Sequence, residues 1–77
     1  MILIDVRTEE EYKNDHIDKA MNHDIMKMME GIFPDIDKSD EVHVYCESGN
    51  RSMMAKKMMG DAGFTNVTDD GGIDNLR

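Results

Sequence analysis

Cys46 is the only cysteine in the chain, and it opens the run Cys46-Glu47-Ser48-Gly49-Asn50-Arg51-Ser52. Thiol chemistry runs through the thiolate, which needs a positive field or hydrogen-bond donors to exist near neutral pH. The residues around Cys46 can supply both. Four residues, Glu47 to Asn50, separate Cys46 from Arg51, and a loop that short can curl its amide N–H groups inward into an anion-binding nest. Gly49 permits a backbone angle that other residues resist. Arg51 offers a fixed positive charge, either to an anion or to a group that braces the loop. Ser52 can donate a hydrogen bond or cap a following helix. A sulfur placed there is expected to ionise below free cysteine, to be reachable from solvent and to act as a nucleophile.

This geometry requires a strand before the loop and a helix after it. Val42-His43-Val44-Tyr45 is the best strand in the chain. From Arg51, the residues Met54, Ala55, Met58, Met59 and Ala62 form one helical stripe, Gly63 is a stop, and Phe64 can fold back to close it. The helix therefore aims its N-terminus at the thiol.

Upstream, Ile2 to Val6 reads as a short buried strand. Thr8 and Glu11 form a capping box for a mostly charged helix from Glu9 to about Asp15. Ala20-Met21-Asn22 predicts a very short second strand. Asp24 caps a helix whose face is Ile25, Met28, Met29, Ile32 and Phe33, weakened at Gly31 and stopped by Pro34. Thr65 to Thr68 predicts a fourth strand, Asp70-Gly71-Gly72 a turn, and Ile73 to Arg77 at most one helical turn. Strands alternate with helices and no two-residue hairpin joins neighbours. The expected fold is therefore α/β, a small parallel β-sheet flanked by helices. Sites in such sheets form beyond the C-terminal strand ends, where Cys46 stands.

Composition narrows the function further. With 77 residues the chain is one small domain, residues 1–77, that buries only about 60% of its unfolded surface, so its stability is thin. A single cysteine excludes an internal disulfide and suits a reducing compartment. The N-terminus carries no basic segment followed by a long apolar run, which points to a cytoplasmic protein, or a periplasmic one if a leader was removed. No stretch approaches the roughly 20 apolar residues of a membrane span. The formal net charge of −8 disfavours nucleic acid and anionic membranes, and suits a basic protein partner. No metal or other cofactor is expected. His43 and Cys46, three apart in a strand, face opposite sides. The pairs Met28-Met29, Met53-Met54 and Met58-Met59 have the spacing of core packing rather than of a copper(I) site. Asp5, Arg7 and Glu11 read as a salt-bridge cluster at a strand–helix junction, and His16 as a loop hydrogen-bonding residue.

Two segments resemble the signatures of one family. Ile4-Asp5-Val6-Arg7-Thr8-Glu9-Glu10-Glu11-Tyr12, followed by His16-Ile17 and Ala20, resembles the opening motif of rhodanese-like domains. Cys46-Glu47-Ser48-Gly49-Asn50-Arg51-Ser52 resembles their active-site loop, and Gly63-Phe64, Val67 and Gly71-Gly72-Ile73 their closing part. The likeness begins at what looks like the family's second element and lacks the usual final helix, so it implies a minimal single-domain member. It implies a sulfurtransferase. Cys46 would take a sulfane sulfur from thiosulfate, polysulfide or a protein persulfide and pass it to a thiol or cyanide. Backbone amides of Glu47, Ser48, Gly49, Asn50, Arg51 and Ser52 would hold the persulfide anion, and Arg51 would support the loop. Glu47 departs from the pattern, because many relatives carry a basic residue there. Two like charges ~6 Å apart at an effective dielectric near 20 repel by roughly 3 kcal/mol before salt screening, so weak affinity for thiosulfate is expected.

Two alternatives stand beside this reading. A cysteine phosphatase or arsenate reductase uses a similar thiolate loop, but one generally a residue longer between Cys and Arg. The second alternative is a docking module in which Cys46 is a relay or a relic. The joint presence of Cys46, Gly49, Arg51 and Ser52 argues against a relic.

Overall fold

The computed structural model describes residues 1–77. Four parallel strands, β1 (Ile2–Asp5), β2 (Met21–Asn22), β3 (Val42–Cys46) and β4 (Val67–Gly72), form one sheet in the order β2-β1-β3-β4. Helix α1 (Glu9–Asn14) links β1 to β2, α2 (Ile25–Met29) links β2 to β3, and α3 (Asn50–Asp61) links β3 to β4. A 3-10 turn, Ile73–Leu76, closes the chain. The expected parallel α/β fold is the one observed.

Strand alternation divides the apolar residues between the two faces. Ile4, Val6, Val42, Val44 and Cys46 pack with Ile25 and Met28 of α2, with Ala55 and Met59 of α3, and with Phe64. Tyr45 joins Ala20 and Ile73 in a smaller cluster, against which Leu3, Tyr12, Ile17 and Leu76 pack. The site cysteine is thus a core residue on one face of the central pair of strands.

The capping box at Thr8 and Glu11 is formed as read. So is the end of α3: the Phe64 N–H reaches the Met59 carbonyl at 3.0 Å, the Gly63 N–H reaches Gly60, and Phe64 is buried against the core.

Helix α2 is shorter than its sequence period implies. Gly31, at φ +84°, ends it through the same motif, with the Ile32 N–H on the Lys27 carbonyl at 2.9 Å. A helix of one and a half turns presents only one edge to the sheet. Ile25 and Met28 are buried there, whereas Met29 and Ile32 are more than half exposed. Met54, also expected in the core stripe of α3, is 45% exposed, and Ser52 occupies the buried first turn instead.

The largest difference lies in β4. Asp70-Gly71-Gly72 is strand rather than turn, and pairs with the C-terminal end of β3 through a bulge. Val44 lies opposite Asp69, and the next residue, Tyr45, opposite Gly71. Asp70 is the extra residue. Gly71 takes its positive φ of +81° within the bulge, and its N–H is capped by Asp69 Oδ1 at 2.8 Å. Pairing with a strand some twenty-five residues away decided this, and no local turn signal reports it.

Candidate active site

The thiol of Cys46 lies where β3 ends and α3 begins. Three loop residues, Glu47 to Gly49, intervene, and Gly49 caps the helix at φ +101°. That left-handed conformation turns the loop back over the sulfur. The Gly49 N–H donates to Cys46 Sγ at 3.0 Å and the Ser52 N–H at 3.3 Å. The Ser52 side chain is fully buried, with Oγ 3.5 Å from Sγ and 3.1 Å from the Gly49 carbonyl oxygen, so that its one hydrogen can turn to the sulfur when the thiol ionises. Helix α3 has no acidic residue in its first turn, so nothing there neutralises the positive end of its dipole.

Burial pushes the Cys46 thiol up. Hydrogen bonds from the Ser52 hydroxyl and from the amides of Ser52, Gly49 and Ser48 outweigh it and hold the thiol below its ordinary value. This half of the expectation from sequence holds. The other half is corrected: Cys46 is 1% exposed, and no ligand-sized cavity opens over it. The residue is walled in by the loop that stabilises its anion, because amides close enough to bond the sulfur also cover it.

The charged residues divide into two clamps on this loop. Arg51 makes its hydrogen bonds to Glu11 and not to the sulfur. Its two Nη atoms bond both oxygens of Glu11, at 2.7 and 3.0 Å, so it braces the loop against α1. Glu11 also accepts from the Thr8 amide and hydroxyl, which couples the cap of α1 to the sulfur loop. The Arg51 guanidinium and Thr8 hold the Glu11 carboxyl at about 2. The stability from this pair is complete above the ordinary carboxylate range and is lost as pH falls from about 4.5 towards about 2. Replacing Glu11 with glutamine is expected to flatten acid unfolding across that window, as read by circular dichroism; an unchanged acid profile would count against the clamp.

The second clamp is Arg7. It bonds Asp5 through Nε and Nη2 at 2.8–3.1 Å and the Asp15 carbonyl at 2.5 Å, and its Nη1 reaches Glu47 Oε1 at 3.0 Å. Asp5 and Arg7 are buried, while the Glu47 side chain is 57% exposed. Glu47 therefore leans on a fixed cation at the edge of the loop. Ser48 and Asn50 are exposed, and Asn50 makes no side-chain hydrogen bond. The residues read as one salt-bridge cluster thus belong to two separate pairs, each holding one end of the loop.

Sequence reasoning missed the partners of Glu47 and Arg51, which lie forty residues away. Capping signals had already accounted for Glu11. His43 lies apart from the thiol, between Asp70 and Glu41, and these two interactions raise its pKa despite burial, Asp70 contributing more. No group of three or more metal-ligating side chains converges anywhere in the structure.

Comparison with known proteins agrees with this geometry. Residues 1–76 match the family model described as rhodanese-like domain. Thiosulfate sulfurtransferase PspE of Escherichia coli K12 is 36% identical over 95% of this chain and 71% of its own length. A solved structure described as rhodanese with anions, from E. coli, superposes with a TM-score of 0.85 at 36% identity, covering 96% of this chain and 88% of the other. The putative sulfur carrier protein YrkF of Bacillus subtilis is 35% identical over 84% of this chain, which spans only 35% of that relative. With the thiol loop, its flanking strand and helix, and the family match over nearly every residue, the chain belongs to the rhodanese-like domain family.

Proposed function

We propose that this chain is a sulfurtransferase in which Cys46 carries a sulfane sulfur as a persulfide. The observation that carries this reading is the convergence of the Gly49 and Ser52 amides, the Ser52 hydroxyl and the α3 N-terminus on one sulfur atom. Such an array stabilises a thiolate and, equally, the anion of a persulfide.

With thiosulfate as donor, the thiolate attacks the outer sulfur. A sulfur–sulfur bond forms to Cys46 as the bond to the leaving group breaks, and sulfite departs with the electron pair. Cyanide or a thiolate then attacks the outer sulfur of the persulfide. Thiocyanate or a new persulfide leaves, and the electron pair returns to Cys46. The two half-reactions predict ping-pong kinetics. Closure of the loop over the thiol means that donor entry needs the exposed loop residues Glu47 and Ser48 to give way. The short loop favours sulfur transfer over phosphate or arsenate chemistry, since its amides already close on a single atom. The relatives favour both a free enzyme and a relay: PspE is named a thiosulfate sulfurtransferase and YrkF a sulfur carrier.

The test is intact mass after incubation with thiosulfate and, separately, with polysulfide. A gain of about 32 Da on the wild-type chain and none on Cys46→Ser is expected. No gain from either donor would leave the domain as a docking module.

A further inference from the structure

The loop rests on strand β4, and β4 offers it two consecutive glycines. Gly72 is the register neighbour of Cys46 in the sheet, and Gly71 that of Tyr45. A Cβ placed on Gly72 would stand 2.7 Å from the Glu47 carbonyl oxygen and 3.4 Å from the Ser48 Cα, both main-chain atoms of the sulfur loop. The backbone of Gly72 is ordinary extended chain, at φ −79°. Space, and not conformation, therefore requires glycine there. A Cβ on Gly49 would in turn lie 3.8 Å from the Gly71 Cα, and Ser52 Oγ lies 3.4 Å from the Gly71 carbonyl. At Gly72 and Gly49, loop and strand meet backbone to backbone.

The bulge gives this contact its shape. Asp69 Oδ1 holds the Gly71 N–H, and His43 holds Asp70, the extra residue, by its carboxylate at 3.0–3.1 Å. Both interactions fix the height at which Gly71 and Gly72 lie under the loop. The direction of the Glu47 carbonyl decides where the next amides point, because they belong to the same short turn.

We propose that Gly72, supported by the Asp69–Gly71 bulge, is a positioning residue that sets the curl of the loop and so the aim of its amides at Cys46. This inference rests on the sulfurtransferase reading above. It assigns part of the site to the neighbouring strand β4, whose main chain supports the loop.

The test compares Gly72→Ala and Asp69→Ala with wild type, and with Gly60→Ala, a helical glycine that has nothing within 4 Å of an added Cβ. The pH dependence of alkylation by iodoacetamide on the unloaded chain reads the thiol. Transfer from thiosulfate to cyanide reads kcat and KM. Gly72→Ala is expected to raise the alkylation midpoint by about one pH unit and to lower kcat by about tenfold or more. Asp69→Ala, which introduces no clash, is expected to move both in the same direction by less. Gly60→Ala is expected to move neither. A purely structural role for Gly72 would lower the melting temperature and leave the midpoint alone, and that result in a folded Gly72→Ala chain overturns the proposal. If Gly72→Ala does not fold, Asp69→Ala decides: a raised midpoint supports the proposal and an unchanged one overturns it. An ordinary midpoint in the wild-type chain overturns this inference and the sulfurtransferase reading together. A depressed wild-type midpoint that no variant moves overturns this inference alone.

Discussion

Replacing Asp5 with asparagine is expected to remove most of the chain's folding stability at room temperature and to shift its urea midpoint far down. Asp5 is fully buried and is the principal partner of Arg7, whose side chain is 4% exposed. Removing one charge of a buried pair costs about 3–5 kcal/mol, because the remaining ion is then buried without compensation. The surrounding structure offers no rescue. Glu47 is the one other carboxylate bonded to Arg7, and its exposed side chain bonds through a single oxygen. A domain of this size has about 5 kcal/mol or a little more in hand, and no disulfide supplements it. Asp5→Asn also leaves an amide group facing a guanidinium that can only donate. Urea unfolding followed by circular dichroism checks this. A midpoint within error of wild type would show that the pair is not what holds the β1–α1 junction. The double variant Asp5→Leu with Arg7→Met removes both charges at once and is expected to recover much of the loss.

Reversing the charge at Glu47 is expected to lower the thiosulfate KM by about tenfold or more, with a smaller change in kcat. Glu47 stands at the edge of the loop and shares the Arg7 cation with Asp5, so the three groups sum to one negative charge beside the thiol. A doubly charged donor meets that charge at ~6 Å, where each unit–unit repulsion is roughly 3 kcal/mol at an effective dielectric near 20. Solvent and salt screen most of this at a half-exposed side chain. The remaining one or two kcal/mol sets the expected factor, since about 1.4 kcal/mol is tenfold. Glu47→Lys removes the negative charge, adds a positive one and releases Arg7 Nη1 to the donor. The benefit should shrink as ionic strength rises and be weaker for an uncharged donor. An unchanged thiosulfate KM in Glu47→Lys would sink the idea that this carboxylate screens donors by charge.

The fold was largely written in local patterns. The strands at Ile2, Met21 and Val42, the Thr8–Glu11 capping box and the Gly63–Phe64 stop each carry a signal within five or six positions, although the strands form only by pairing with one another. The setting of the thiol was legible for the same reason. Cys46, Gly49 and Ser52 lie within seven consecutive residues, and the amides that depress the thiol are those of the adjoining loop and the first turn of α3.

What the sequence by itself determined is therefore the parallel α/β order and the loop whose amides close on the Cys46 thiol. Only the tertiary structure decided which cations the loop keeps for itself. Arg7 and Arg51 both reach carboxylates, one across to the loop and one from the loop back to α1, each spanning forty residues. It also decided that Asp70-Gly71-Gly72 is strand under the loop and that Cys46 is sealed beneath it. The physical reason is common to all of these. Ion pairing, bulged register and burial depend on groups brought close by the completed sheet, and spacing along the chain carries no record of that distance.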